Sequence, residues 1–462
     1  MTMKKLIDNI LGTEAKKIAF SFFIVIFTGS VLLSLPISNQ AGSQASYFDH
    51  LFMATSMVCV TGLSTVAVVD TYTIFGQIVS MFLMQIGGLS LMTFVSISFY
   101  YLRHHVSLKN QYLVQSTINR KSNYDLKDFV LTMLKFTFMI EGGLAVILAT
   151  QLIPIYGVFK GIFSSIYIAI SAFNNAGFDN LGSTSLLQFK DNPIVLLPIA
   201  ITIVFAGLGF SVWYELKILK RKFFTARPMS LKLFLRRISI HSRTVILTTF
   251  YILLIGTISS WLLEFNNPET IGNMSILNQG VNSFFQTVTM RTAGFASLNY
   301  QETHRATNLI YIIQMVIGGG PGGTAGGIKV TTFAILFTYL RAELTGRTYL
   351  TIFKRSLTHD IFRRAMSVFF FYSFALLIGW FLLLLSNPRL DSFDLLFEGV
   401  SALSTVGVSA NLTGLLNRFG QAVIVMMMFL GRVGPLTVFM SLSLRQHQNS
   451  DIKYADADLL IG

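Results

Sequence analysis

Four short segments of the chain set a glycine among small and hydroxyl-bearing residues: VTGLS at 60–64, NAGFD at 175–179, TAGFA at 292–296 and TVGVS at 405–409. What residues of this kind offer is main-chain oxygen. A dehydrated alkali cation needs replacements for its hydration shell, and rings of backbone carbonyls supply them without a titratable group. Glycine allows dihedral angles that aim carbonyls inward, which a residue with a Cβ resists. The candidate ligands are therefore main-chain oxygens of Val60, Thr61 and Gly62, of Asn175, Ala176 and Gly177, of Thr292, Ala293 and Gly294, and of Thr405, Val406 and Gly407.

The elements that would position them repeat. Gly62, Gly177, Gly294 and Gly407 are separated by 115, 117 and 113 residues. Each follows an apolar segment too short to cross a bilayer (48–64, 166–179, 281–296 and 397–410), and longer apolar runs flank these segments near 18–36, 74–102, 128–152, 193–216, 244–264, 307–340, 365–386 and 419–444. Such regularity predicts four copies of one unit, span, half-helix with returning loop, span. The units fall at 1–105, 106–222, 223–345 and 346–462. The expected fold is an all-α integral membrane protein, with eight transmembrane helices and four re-entrant pore loops around a pseudo-fourfold pore. Non-helical backbone at membrane depth must line a water-filled cavity or be buried in protein. The half-helices would point their negative C-terminal ends at the axis, favouring a cation there.

Composition agrees. The chain is 462 residues long, 53% hydrophobic and 12% charged, against about 25% charged in soluble domains. The first apolar run, 18–35, is longer than a signal-peptide core, which predicts a retained span. The single cysteine, Cys59, excludes an intrachain disulfide. The net charge of +14 would raise nucleic acid as a partner, but its distribution removes that need. With the N-terminus inside, 27 of the 35 lysines and arginines fall in cytosolic segments, 5 outside, and Arg291, Lys329 and Arg432 at membrane depth. This is the positive-inside asymmetry, with both termini cytosolic. An enzyme is not expected: the sequence has no HExxH, nucleophile elbow or paired intramembrane carboxylates, and its deep charges read as basic.

Residues 318–329 read GGGPGGTAGGIK and interrupt the run 307–340. GxGxxG matches at Gly318, Gly320 and Gly323, but no βαβ unit surrounds it, and Ile328 separates Gly327 from Lys329, so nucleotide binding is not expected. The equivalent points of the sister spans, MQIGGLS, FAGLGF and FLGRVG, carry only small-residue weakness, for which close helix packing accounts in the first two. The third span alone is expanded, and unwound backbone there must line the cavity beneath the glycine turns. Gly318, Gly319, Gly320, Gly322, Gly323, Thr324, Ala325, Gly326 and Gly327 are the gate candidates. Lys329 would anchor the inner end of the stretch or stand as an interfacial lysine. Arg432 lies some ten residues from either end of the last span, too deep for comfortable snorkelling. It either faces the cavity beside the gate or caps carbonyls at a helix interface. Arg291 and Glu398 are expected to pair behind the filter and hold two loops in register. Asp179 faces the outer mouth or is a solvated loop acid.

Polar stretches between spans run only about 25 to 30 residues, below the ~50 of an independent domain. Sensing is delegated or absent, and the basic stretches 217–243 and 341–364 offer docking surfaces or contacts with anionic lipid.

At these residues the chain resembles a known group. STVGVSA is close to the TVGYG filter of potassium channels, while four degenerate, covalently linked loops resemble the Trk/Ktr/HKT superfamily of potassium transporters, with an eight-span form similar to KtrB-type membrane subunits. VTGLS, NNAGFD, TAGF, STVGVS and GGTAGGIK carry the resemblance across nearly the whole chain. It implies K⁺ uptake across the cytoplasmic membrane with no covalent cofactor, a homodimer, and a cytosolic ring of RCK-type nucleotide-binding regulatory subunits that move an intramembrane gate loop. It also implies an arginine in the last span, matched by Arg432, and an influence of Na⁺. Members that prefer Na⁺ can carry serine at the first filter glycine; glycine at all four positions favours potassium. The alternative is a Na⁺-permeable or weakly selective monovalent cation channel.

Overall fold

The computed structural model describes residues 14–89, 126–182, 184–225, 236–347 and 349–434. Helices of two turns or more run in chain order as α1 Glu14–Ser34, α2 Tyr47–Cys59, α3 Ile74–Gly88, α4 Leu126–Tyr156, α5 Val158–Asn174, α6 Pro193–Gly207, α7 Phe210–Thr225, α8 Ile240–Glu264, α9 Ile276–Thr289, α10 Arg305–Val316, α11 Val330–Leu344, α12 His359–Ser386, α13 Ser392–Ser404 and α14 Arg418–Val433. The helical expectation holds apart from a ribbon of two short strands, Thr351–Ile352 against Arg355–Ser356.

Among the described residues, four stretches are long and apolar enough to cross a membrane unbroken: Lys16–Ser34, Asp128–Tyr156, Ile240–Glu264 and His359–Ser386. They form the outer wall. Phe23, Phe27, Val146, Phe250 and Phe374 project outward from it, exposed, while Ser56, Ser171, Thr287 and Ser401 are buried inside. Apolar outside and polar inside is the arrangement that a hydrocarbon solvent favours.

Inside the wall stand the short helices α2, α5, α9 and α13. Ser46 and Asp49 form a capping box at the start of α2, Ser275 caps α9 and Asp391 caps α13. These caps satisfy N–H groups that a buried helix start would leave unpaired. Polar contacts then link these helices: Ser80 on α3 hydrogen-bonds Tyr167 on α5 at 3.0 Å, Asn282 on α9 donates to Lys190 O at 2.7 Å, Arg305 on α10 pairs Asp391 at 3.2 Å, and Arg418 on α14 pairs Asp49 at 2.8 Å. The last of these joins the two ends of the chain's helical order.

The four companion helices α3, α6, α10 and α14 are each shorter than a span. They stop at Gly88, Gly207, Val316 and Val433. Here the structure corrects the expectation that only the third is interrupted: α6 and α7 meet at 90° across Leu208 and Gly209. Residues 1–13, 90–125 and 435–462 lie outside the described residues, and with them the later parts of the expected spans 74–102 and 419–444.

Candidate functional site

Each short inner helix leads into a turn with a non-glycine residue in the left-handed region: Val60 (φ 56°), Asn175 (φ 58°), Thr292 (φ 66°) and Thr405 (φ 54°). Two residues later comes a glycine, also at positive φ: Gly62 (105°), Gly177 (71°), Gly294 (81°) and Gly407 (95°). A left-handed residue with a Cβ costs about 1–2 kcal/mol, and local hydrogen bonds offset it. The amides of Thr61, Ala176 and Val406 each donate at 2.8 Å to the carbonyls of Ser56, Ser171 and Ser401, closing the helix ends. The hydroxyls of the same serines accept from Gly62 N (3.1 Å), Phe178 N (2.9 Å) and Gly407 N (3.0 Å). In the third turn Val288 replaces the serine. There Thr289 O accepts from Ala293 N at 3.0 Å and the Thr289 hydroxyl donates to Phe295 O at 2.7 Å. Sequence reasoning missed these serines, although a serine stands six residues before the glycine in three of the four segments.

The four turns meet. A Cβ on Gly177 would lie 2.6 Å from Gly294 Cα and 2.7 Å from Ala293 O. On Gly294 it would lie 2.8 Å from Val406 O, on Gly62 2.9 Å from Ala176 O, and on Gly407 it would strike Thr61 O. Main-chain oxygens of Thr61, Ala176, Ala293 and Val406 thus each sit beside a neighbouring turn's glycine, in a space that admits no side chain. Thr61 Oγ1, Thr405 Oγ1 and both amide atoms of Asn175 are buried there without a protein partner. Buried polar atoms are ordinarily paired, so this cluster retains capacity for a ligand that brings its own charge or water.

Directly against the turns lies the glycine stretch. Gly326 N donates to Thr292 Oγ1 at 3.1 Å, and a Cβ on Gly326 would strike Thr405 Oγ1. The stem is zipped by Gly318 N to Ile328 O (2.9 Å), Ile328 N to Val316 O (3.1 Å) and Val330 N to Gly319 O (3.0 Å). Its other face interlocks with the bend between α6 and α7: Gly320 N donates to Gly207 O at 2.7 Å and Phe210 N to Gly322 O at 3.2 Å. Gly209 sits at φ +94° with Pro321 O 2.7 Å from where a Cβ would be, so the bend needs glycine. Arg432 donates to Thr324 O at 2.6 Å and reaches Gly87 O and Gly88 O, at the end of α3. Lys329 Nζ donates to Ala325 O (2.6 Å) and Gly326 O (3.3 Å). Two cations therefore cap carbonyls that unwinding has freed.

Three expectations need correction. Arg291 and Glu398 do not pair. Glu398 accepts from the hydroxyls of Ser409 and Thr413 and from Leu412 N, groups of its own loop, so its carboxylate needs no cation. Arg291 instead donates to Thr249 Oγ1 and to Gly318 O, both at 3.3 Å. Asp179 is not a solvated loop acid: it is buried and accepts from Leu181 N at 3.0 Å, inside its own turn. The deep charges are not all basic either. Glu141, midway along α4, is buried and accepts a 3.4 Å hydrogen bond from Asn174, which also donates to Gln85 at 2.8 Å. Its signal in the sequence was a lone acid, MIEGG, at the centre of a span.

A family profile described as TrkH, cation transport protein, matches residues 5–452. The chain belongs to the TrkH family of cation transport proteins. It is 35% identical, over 100% of both chains, to Ktr system potassium uptake protein B of Bacillus subtilis (strain 168). It is 34% identical to the Vibrio alginolyticus protein of the same name, over 98% of this chain and 96% of that one. It is 33% identical, over 100% and 99%, to the potassium/sodium uptake protein NtpJ of Enterococcus hirae. The fold is similar to that of the potassium transporter TrkH from Vibrio parahaemolyticus, with a TM-score of 0.69 and 17% identity over 92% of this chain and 85% of that one. These relatives are transport proteins, not enzymes.

Proposed function

We propose that this chain conducts K⁺ inward across the cell membrane through the four glycine turns. In this reading the chain is four span, pore-helix, span repeats with eight crossings, and the turns line a pseudo-fourfold pore. The observation that carries it is the meeting of Gly62, Gly177, Gly294 and Gly407, each beside a neighbouring turn's main-chain oxygen. A ring of such oxygens suits a dehydrated cation of alkali type. Potassium is favoured by glycine at all four positions and by the Bacillus subtilis and Vibrio alginolyticus relatives, both named as potassium uptake proteins.

The stretch 318–329 is the gate, pressed against the inner side of the turns by Thr292 and tied by Arg432 and Lys329. Both termini are cytosolic, and the chain works as a homodimer with a ring of nucleotide-binding regulatory subunits. The names of two relatives assign each to a Ktr system, which supports a further component. The 341–364 segment, with its strand ribbon, offers one docking surface; residues 226–235 of the other stretch lie outside the described residues.

A second reading, a weakly selective K⁺ and Na⁺ pathway, is favoured by the potassium/sodium relative. Uptake of K⁺, Rb⁺ and Na⁺ in a potassium-uptake-deficient bacterial strain separates the two. The K⁺ reading expects K⁺ and Rb⁺ uptake well above Na⁺, loss of that preference in Gly294→Ser, and raised flux on deletion of residues 319–326. Equal Na⁺ uptake by the unmodified chain would establish the second reading, and unchanged flux in the deletion would remove the gate.

A further inference from the structure

Arg291 is 3% exposed, one residue before the left-handed Thr292. The ion pairs among the described residues do not include it. Its Nη2 donates to the Thr249 hydroxyl of α8 and to the carbonyl of Gly318, each at 3.3 Å, while its Nε has no partner. Gly318 is the first residue of the glycine stretch. At the far end of that stretch, Gly326 N donates to Thr292 Oγ1 at 3.1 Å. Two consecutive residues of the third turn thus hold both rims of the loop. In no other turn does a charged residue stand at this position: the equivalents of Arg291 are Cys59, Asn174 and Ser404.

We propose that Arg291 is a latch coupling the gate loop to the third filter turn, so that displacing the loop and rearranging that turn are one event. This rests on the reading of 318–329 as the gate. Moving the Gly318 carbonyl away would leave a guanidinium shut off from water with one neutral hydroxyl, which favours the seated loop. A loop that does move draws on the residue preceding Thr292 and alters the carbonyls of Thr292 to Gly294. Arg291 is a positioning residue for permeation, acting on the ion through the loop and the turn.

The test is a double-mutant cycle on the full chain in proteoliposomes without any regulatory subunit, reading K⁺ and Na⁺ flux separately. The variants are Arg291→Gln, deletion of residues 319–326, and the two combined. Arg291→Gln is expected to raise basal K⁺ flux about ten-fold, the factor for one hydrogen bond to a charged group, and to lower the K⁺ to Na⁺ ratio. In the deletion background the same substitution is expected to leave K⁺ flux unchanged. An equal effect in both backgrounds, or a fall in flux in both, would make Arg291 a strut of the filter alone and overturn the latch. A deletion that by itself leaves flux unaltered would instead sink the gate reading. Should Arg291→Gln yield no folded protein, Arg291→Lys keeps the charge, and thiol labelling of Ala325→Cys in a Cys59→Ser background reads the loop directly. Faster labelling when Arg291→Lys is added to that background is expected, and equal rates with and without it would overturn the latch.

Discussion

The Thr292 hydroxyl accepts a hydrogen bond from Gly326 N at 3.1 Å, joining the third glycine turn to the glycine stretch that follows it by thirty-odd residues in sequence. Thr292→Val keeps the shape and leaves the Gly326 amide unpaired, a cost of about 1–3 kcal/mol to the seated loop. Basal cation flux in proteoliposomes should rise, and Thr292→Ser, which keeps the acceptor, should behave as the unmodified chain. Equal flux in all three would show that the bond does not hold the loop.

The glycines of the four turns should tolerate nothing larger. Gly294→Ala places a Cβ 2.8 Å from Val406 O at φ +81°, adding strain of about 1–2 kcal/mol from dihedral angle alone. Uptake should fall more than about ten-fold, since each 1.4 kcal/mol is a factor of ten. Gly143→Ala in α4, where a Cβ meets nothing within 4 Å, is the control and should leave uptake intact.

Arg432 bridges Thr324 O in the loop and Gly87 O and Gly88 O at the end of α3. A lysine is a point donor on a flexible stem and cannot serve both sides as a fork does. Arg432→Lys should therefore raise basal flux nearly as much as Arg432→Gln. If lysine fully restored the closed behaviour, the two-sided contact would not be what matters.

Asp49 gives a pH signature. Burial raises its carboxyl, but hydrogen bonds from Arg418 and Ser46 outweigh that and hold it at about 2, below the ordinary carboxylate value of 3.8. A depressed acid contributes stability above its unfolded value and loses it as pH falls toward the folded one. Asp49→Asn should lower thermal stability of the solubilised protein at pH 5 to 7, and the gap to the unmodified chain should close between about pH 4 and pH 2. With Arg418 half-exposed, the effect should be about 1 kcal/mol or less. A gap that widened on acidification would contradict the assigned pair.

The sequence by itself determined whatever is encoded within a few residues. Glycine at 62, 177, 294 and 407 dictated the turns because a Cβ is excluded there, and the 318–329 run dictated a break because twelve residues with seven glycines and a proline cannot continue a helix. Apolar run length and a composition of 53% hydrophobic and 12% charged residues dictated a membrane protein. Tertiary structure alone decided partners. Glu398 found donors eleven to fifteen residues on, in its own loop, which left Arg291 to reach Gly318 instead. Gly209 reads as one more packing glycine until Pro321 is set against it and α6 turns through 90°. The physical reason is that dihedral preference and hydrophobic length are properties of the local chain. Which donor satisfies a buried charge depends instead on groups that only the closed ring of helices brings within 3.5 Å.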